Sequence, residues 1–217
     1  MLRLSIRVPN VPKAFNDYTL AFLADIHHGP FVPLSYVTHV INITNELKAN
    51  AICLGGDYVH RDRKYIAPCI NELRNLKAQQ GVYAVLGNHD HWEGAQETRD
   101  ALNRNNITDL TNTGMWLIKG DARLRLCGVG DLWEDYQELD KALGDAGDRD
   151  AVVLMSHNPD YVEKIADRRI GLILSGHNHG GQVVIPFIGA LVVPSRYGQK
   201  YLHGLVQAPA TQVFVTR

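Results

Sequence analysis

Short apolar segments alternate with helical patterns over the first half of the chain, and this alternation constrains the fold more than any other feature. Apolar strands are predicted at 18–24, 51–54 and 82–86, and helices at 33–48, 66–76 and 93–105. Strands that are separated by helical crossovers pair in parallel. The first half therefore predicts an α/β protein built on a parallel sheet.

The second half of the chain has a less regular pattern. Its predicted elements are a hairpin at 115–129, a short helix at 135–143, and strands at 151–156 and 171–175 around a helix that begins at Pro159. At the amino end, alternating apolar and polar residues predict a half-exposed strand over 2–8. The whole pattern fits one α/β domain over residues 1–217, with either a mixed sheet or two stacked sheets.

Composition excludes several classes of protein. The 22 Lys and Arg residues nearly balance 23 Asp and Glu residues, giving a net charge of −1, so we expect no protein built mainly to bind nucleic acid. No apolar run approaches the ~20 residues that span a membrane, and the first ten residues do not resemble a signal peptide. We therefore expect a cytoplasmic or membrane-peripheral protein. The three scattered cysteines predict neither a disulfide framework nor a zinc ribbon.

Polar residues follow five of the predicted strands at the point where each strand ends. The segments are Asp25-Ile26-His27, Gly55-Gly56-Asp57, Gly87-Asn88-His89-Asp90, Ser156-His157 and Gly176-His177-Asn178-His179-Gly180-Gly181. In parallel α/β sheets, ligands bind beyond the carboxyl ends of the strands. We therefore expect these side chains to meet at one rim.

The residue types at this rim are typical of a metal centre. Carboxylate, imidazole and amide oxygen together suit divalent Mn, Fe, Zn or Co. The candidate ligands are Asp25, His27, Asp57, Asn88, His157, His177 and His179. Seven ligands are more than one ion coordinates, so two metal ions that share Asp57 as a bridge fit the set.

The five segments, in this order, resemble the signature blocks of the calcineurin-like metallophosphoesterases, and they extend over residues 25–181. SGHNHGGQV (175–183) and VPSRYGQKYLHGL (193–205) are similar to a bacterial-type subgroup that has a G-H-x-H-G-G-Q block. The resemblance implies two mixed β-sheets packed face to face with helices outside, a four-layer αββα sandwich.

The resemblance also implies a role for each candidate residue. One metal ion would take Asp25, His27, Asp57 and His179, and the other would take Asp57, Asn88, His157 and His177. His89 would be the catalytic histidine and would bind no metal. At His60 the chain departs from many members of the family, which have there an aspartate that supports the catalytic histidine. Asp90 and Asp62 are the candidate substitutes.

The function implied is hydrolysis of phosphate esters, most simply phosphodiester or diphosphate bonds, by in-line attack of a hydroxide that bridges two metal ions. The substrate would be a small-molecule or lipid-linked phosphate ester. Alternatives are a UDP-2,3-diacylglucosamine-type pyrophosphatase, a broad phosphotriester or cyclic-nucleotide hydrolase, and a non-catalytic scaffold on the same fold. A scaffold would be expected to have lost metal ligands or the catalytic histidine, whereas all seven ligand positions and His89 are present here. A metallo-β-lactamase is excluded because 177–182 lacks the H-x-H-x-D-H pattern.

Residues beside these blocks carry weaker predictions. Arg196 is either a substrate contact, through bidentate binding of a phosphate or diphosphate, or a residue that pins a turn by bonding backbone carbonyls. We expect His28 and His91 to be exposed loop residues. Four aromatic residues flank the blocks and are expected to pack at the rim, with an apolar pocket for a lipid or aromatic leaving group as the alternative; they are Phe31, Trp92, Trp133 and Phe187.

Overall fold

The first 110 residues build a four-stranded sheet by strand–helix crossovers. The computed structural model describes residues 1–181 and 193–217, together with the backbone of 184–185 and 189–190. In chain order the elements are β1 (Leu20–Leu23), α1 (Leu34–Glu46), β2 (Ala51–Leu54), α2 (Ile66–Leu73), β3 (Val82–Ala84), α3 (Asn88–Arg104) and β4 (Thr108–Asp109). The strands pair in the order β1-β2-β3-β4, and every pair is parallel.

The rest of the chain builds a six-stranded sheet. Its elements are β5 (Thr113–Lys119), β6 (Ala122–Gly128), α4 (Leu139–Leu143), β7 (Val152–Met155), β8 (Ile170–Ser175), β11 (Gly204–Gln207) and β12 (Gln212–Val215). Between β8 and β11 in the chain, β9 (Val184–Ile185) and β10 (Gly189–Ala190) form a separate antiparallel pair. The strand order is β11-β12-β8-β7-β6-β5. β5–β6 and β11–β12 are antiparallel, whereas the central pairs are parallel, so this sheet is mixed.

The two sheets pack face to face because alternate residues of each strand point to opposite sides. In β2, Ala51 and Cys53 join the core between the sheets, while Ile52 and Leu54 face the helices α1 and α2. In β7, Val153 joins the same inner core, whereas Val152 packs with residues of α4 on the outer side. Helices therefore cover the outer face of each sheet, and the predicted stack of two sheets flanked by helices is confirmed.

Two local predictions are wrong. Residues 2–8 form no strand: Ile6 and Val8 pack against the inner core, whereas Leu2 and Leu4 of the same alternation are exposed, and the backbone is held by contacts such as the bond from Gln212 Nε2 to Arg7 O (2.6 Å). α3 begins at Asn88, five residues before the predicted start, and bends at Gly94 (φ 150°). The helix predicted to begin at Pro159 is confirmed, and it is a 3₁₀ helix (Pro159–Lys164).

None of the helices in the described part of the chain is long and apolar enough to cross a membrane.

Candidate metal centre

The carboxyl ends of β1, β2, β3, β7 and β8 carry the predicted ligands to one edge of the two sheets, as the strand pattern indicated. Two groups of side chains lie there, and within each group the imidazole nitrogen and carboxylate oxygen atoms are all within 4.8 Å of one another. The first group is Asp25, His27, Asp57 and His179, and the second is Asp57, His157 and His177. Six of the seven predicted metal ligands therefore lie in two clusters that have Asp57 in common.

Asp57 lies between the two clusters and touches both. Its Oδ2 is 3.5 Å from His27 Nε2 on one side and 3.3 Å from His157 Nε2 on the other. Its Oδ1 accepts a hydrogen bond from the backbone N–H of His89 (2.9 Å). A carboxylate that faces imidazole nitrogens in both directions is placed to bridge two cations.

The first cluster brings two imidazole rings together against a buried acid. His27 Nε2 and His179 Nε2 are 3.1 Å apart, and Asp25 Oδ1 is 3.7 Å from His179 Nε2. Asp25 is held by the backbone N–H of His177, which donates to both of its oxygens (2.9 and 3.1 Å). Two ring nitrogens and carboxylate oxygens that converge on one point form the donor set of a divalent cation.

In the second cluster, backbone carbonyls orient the rings. His157 Nδ1 lies 2.7 Å from Gly55 O, and His177 Nε2 lies 3.1 Å from Pro194 O. Because a carbonyl only accepts, these nitrogens carry hydrogen, which leaves the lone pair of a neutral ring on the other nitrogen. His157 Nε2 is buried and has no hydrogen-bond partner among the described residues, and the same is true of Asn88 Oδ1. A metal ion would satisfy both orphaned atoms, so the residues fit one.

The backbone of the predicted ligands is strained. Non-glycine residues rarely adopt a positive φ, at a cost of about 1–3 kcal/mol each, and such residues concentrate at functional sites. Five of the seven ligands do so: Asp25 (57°), His27 (49°), Asp57 (55°), His177 (69°) and His179 (48°). Strain concentrated at one set of residues indicates that their geometry matters more than local stability.

Burial sets the charge of the site. It lowers the pKa of His27 to about 4 and that of His177 to about 3, so both rings are neutral near pH 7, as metal ligands must be. Burial opposes a charge on His157 too, but the carboxylate of Asp57 outweighs it and raises the pKa of His157 to about 10. Burial likewise opposes the charge of Asp57, yet His157 and His27 together lower the pKa of this carboxyl.

His89 lies beside the clusters, on the first turn of α3. Its ring centroid is 4.7 Å from that of His27, and its Nδ1 is 3.3 Å from Nδ1 of His60. With His27 and His60 it forms a third group of converging imidazoles. Neither Asp90 nor Asp62 hydrogen-bonds the His89 ring among the described residues. Among the described residues, the side chain within hydrogen-bond distance of the His89 ring is that of His60, at the position where the chain departs from the family pattern.

Asp90 has a different task, which sequence reasoning missed. Its buried carboxylate accepts three backbone N–H bonds, from Asp57 (2.7 Å), Tyr58 (2.9 Å) and Gly87 (2.9 Å). Burial and the nearby Asp57 raise its pKa to about 7. Through these three hydrogen bonds, Asp90 ties the loop after β2 to the start of α3. An acid at the third position of a helix is a capping signal that would have indicated this role.

Gly87 lets these two loops approach each other. A Cβ atom at this position would lie 2.3 Å from Asp57 Oδ1, 2.8 Å from the backbone nitrogen of Asp57 and 2.8 Å from His157 Cε1. Its backbone is extended (φ −104°, ψ 176°), so glycine is required here for space and not for conformation.

The turn that contains Arg196 lies next to the second cluster, since the neighbouring Pro194 contacts His177. Asp160 holds this turn: it accepts bonds from Ser195 Oγ (2.6 Å) and from the backbone N–H of Arg196 (2.7 Å). The exposed guanidinium of Arg196 makes no hydrogen bond to any residue that the structure describes. The turn therefore does not depend on that guanidinium, and contact with substrate stays a prediction.

Aromatic side chains form an exposed rim. Phe31 is 72% exposed, Trp92 55% and Trp133 45%. The Trp92 ring lies 4.6 Å from that of His89, and the Trp133 ring 4.4 Å from that of His177, measured between centroids. Phe187 lies outside the described residues.

The two histidines expected to be exposed are not. His28 is only 6% exposed and its Nδ1 lies 2.8 Å from Val32 O, while His91 Nε2 is buried 3.8 Å from Asp135 Oδ2. These contacts join residues whose proximity depends on tertiary packing, which residue type alone does not predict.

Comparisons with known proteins agree with this geometry. The family model described as calcineurin-like phosphoesterase matches residues 18–181. Phosphodiesterase YaeI of Escherichia coli (strain K12) is 31% identical over 204 residues, which cover 92% of this chain and 74% of YaeI. A metallophosphoesterase of Helicobacter pylori (strain ATCC 700392 / 26695) is 29% identical over 211 residues, which cover 94% of this chain and 55% of that protein. The chain thus spans about half the length of the Helicobacter relative.

Among solved structures, the protein TT1561 of Thermus thermophilus matches 91% of this chain and 88% of its own, with a TM-score of 0.59 at 13% identity. At that identity the likeness shows the fold alone.

Proposed function

The chain belongs to the calcineurin-like phosphoesterase family, and from this premise we propose that it hydrolyses phosphodiester or diphosphate bonds with the help of two divalent metal ions. The observation that carries the proposal is the position of Asp57, whose Oδ2 faces His27 Nε2 at 3.5 Å and His157 Nε2 at 3.3 Å. The name of the relative YaeI, a phosphodiesterase, supports the choice of diesters.

In this proposal each metal ion has four protein ligands, and Asp57 belongs to both sets. Asp25, His27 and His179 complete the first set, and Asn88, His157 and His177 complete the second. The ions would be Mn, Fe, Zn or Co, which these ligand types suit. Two bound metal ions activate water at neutral pH and offset the charge of the phosphoryl oxygens.

The chain's own residues supply the rest of the chemistry. His89 hydrogen-bonds the phosphoryl group or gives a proton to the leaving oxygen, which is the task of a positioned general acid. The guanidinium of Arg196, on the turn beside His177, binds a phosphate or diphosphate group of the substrate. The substrate is a small-molecule or lipid-linked phosphate ester.

A reconstitution experiment tests the proposal. The protein is stripped of metal, reloaded with Mn, Fe, Zn or Co, and assayed on monoesters, diesters, cyclic nucleotides and nucleotide-sugar lipids. We expect hydrolysis of a diester or a diphosphate, and its loss in Asp57→Asn. A protein that binds two ions per chain and hydrolyses none of these substrates would instead be a scaffold on the same fold.

A further inference from the structure

We propose that His60 is a positioning residue for His89: together with Arg61 it fixes which ring nitrogen of His89 carries the proton. The proposal rests on the function above only for its effect on turnover. The tautomer of His89 is a property of the protein itself and is measured without a substrate.

A chain of two hydrogen bonds leads from the exposed rim to His89. Arg61 Nε donates to His60 Nε2 over 3.1 Å. The other nitrogen of the same ring, His60 Nδ1, lies 3.3 Å from Nδ1 of His89. The two imidazole rings are 5.0 Å apart between centroids and inclined by 50°.

The direction of both bonds follows from Arg61. A guanidinium only donates, so His60 Nε2 accepts and carries no hydrogen. A neutral imidazole with a bare Nε2 has its proton on Nδ1, and His60 Nδ1 therefore donates to His89 Nδ1. His89 Nδ1 is then the acceptor, so the neutral His89 ring carries its proton on Nε2. The nitrogen that does not contact His60 is thus the one able to donate a hydrogen bond to a phosphoryl or leaving oxygen.

The Arg61 guanidinium at the head of this chain has a second contact. The Arg61 guanidinium lies over the ring of Phe31, 5.2 Å from its centroid, and the Arg61 backbone adopts a positive φ of 72°. The backbone of His60 is fixed as well, because its N–H donates to His28 O (3.0 Å). A carboxylate at position 60, as in many members of the family, would accept from His89 Nδ1 and impose the opposite tautomer.

Nuclear magnetic resonance of histidine side chains tests the direction of these bonds. The protein is labelled with ¹⁵N-histidine, loaded with zinc, and the His89 ring is assigned from its absence in His89→Ala. We expect the proton on Nε2 in the wild type and in His60→Asn, whose amide nitrogen takes the place of Nδ1. The aspartate of His60→Asp has the same shape as asparagine but can only accept a hydrogen bond, so in this variant we expect the proton on His89 Nδ1. A wild-type His89 with its proton on Nδ1 overturns the proposal.

Turnover tests the consequence. On a diester with a poor leaving group, His60→Ala should lower kcat by about 10–100-fold, as loss of an orienting partner does, with little change in KM. His60→Asn should restore most of this loss, and a nitrophenyl diester, whose leaving group needs less protonation, should be affected less. His39→Ala, on the exposed side of α1, is the matched control and should leave both rates unchanged.

Metal content separates positioning from ligation. Metal analysis of His60→Ala should give the wild-type number of ions per chain; a lost ion would make His60 a ligand and overturn its positioning role. Wild-type turnover of His60→Ala on both diesters overturns it too. If the wild type hydrolyses no phosphate ester, the proposed function fails, while the tautomer of His89 still decides the present proposal.

Discussion

Replacing Gly87 by alanine should displace the carboxylate of Asp57, the proposed bridge between the two metal ions. The new Cβ would lie 2.3 Å from Asp57 Oδ1 and 2.8 Å from His157 Cε1, whereas ordinary contacts of a Cβ atom begin at 3.4 Å. Asp57 would have to move by about 1 Å. It cannot move without loss, because its Oδ1 is bonded to the His89 N–H and its Oδ2 lies between two imidazoles.

The magnitude follows from this displacement. Overpacking of a well-packed site costs about 1–3 kcal/mol, which in a chain of this size lowers Tm by roughly 2–12 °C. A misplacement of about 1 Å in a catalytic site lowers turnover by about 100-fold. We therefore expect a folded variant that has lost far more activity and metal affinity than stability.

Three measurements decide the outcome: Tm of the metal-free protein, the number of ions bound at graded metal concentrations, and turnover on a diester. Gly147→Ala is the matched control. A Cβ at Gly147 meets only Asp150 Oδ2 at 3.8 Å, an ordinary contact, so all three values should stay near those of the wild type. Native metal affinity together with wild-type turnover in Gly87→Ala would refute the argument.

Four further predictions concern the same site. Asp57→Asn should lose tight binding of both ions, and metal analysis that shows full occupancy would contradict the bridge. His89→Ala should lower turnover on a poor-leaving-group diester by about 10²–10⁴-fold with normal metal content; equal rates would remove His89 from the mechanism. Arg196→Lys should raise KM for a diphosphate at unchanged Tm, because lysine cannot bind bidentately; unchanged KM would refute the contact. Metal binding should displace a proton from His157, because the pKa of this ring is raised to about 10. The affinity for the metal ion should therefore rise about tenfold per pH unit above neutrality. Calorimetry in two buffers that shows no proton release would contradict this prediction.

The convergence of the candidate ligands could be predicted from the sequence because two simple rules act together. Apolar strands were identifiable from their composition, and parallel strands bring their carboxyl ends to one edge. Asp25 and His157 each follow a predicted strand directly, and Asp57 follows one after two glycines, so their meeting at one edge could be predicted from the strand order. The resemblance to the family added the division into two ligand sets, and the roles of single residues remain predictions.

Contacts that depend on loop conformation could not be predicted in this way. The pairing of His60 with His89 arises because the loop after β2 and the first turn of α3 lie side by side, which residue spacing does not encode. The burial of His28 has the same origin. Residues 2–8 show the opposite limit: alternation predicts a strand, but Ile6 and Val8 pack against the inner core without pairing their backbone in a sheet, and Leu2 and Leu4 are exposed.

The division of the chain into two consecutive sheets has a consequence for the order of folding events. β1–β4 end before β5 begins, so each half of the chain can form its own sheet from its own residues. Neither half holds a complete ligand set, because Asp25, His27, Asp57 and Asn88 come from one and His157, His177 and His179 from the other. A metal ion bound by all four of its proposed ligands would therefore require both halves of the chain. If the proposed ligand sets hold, full coordination of the metal ions would follow the docking of the two sheets, and metal uptake during refolding would report that docking step.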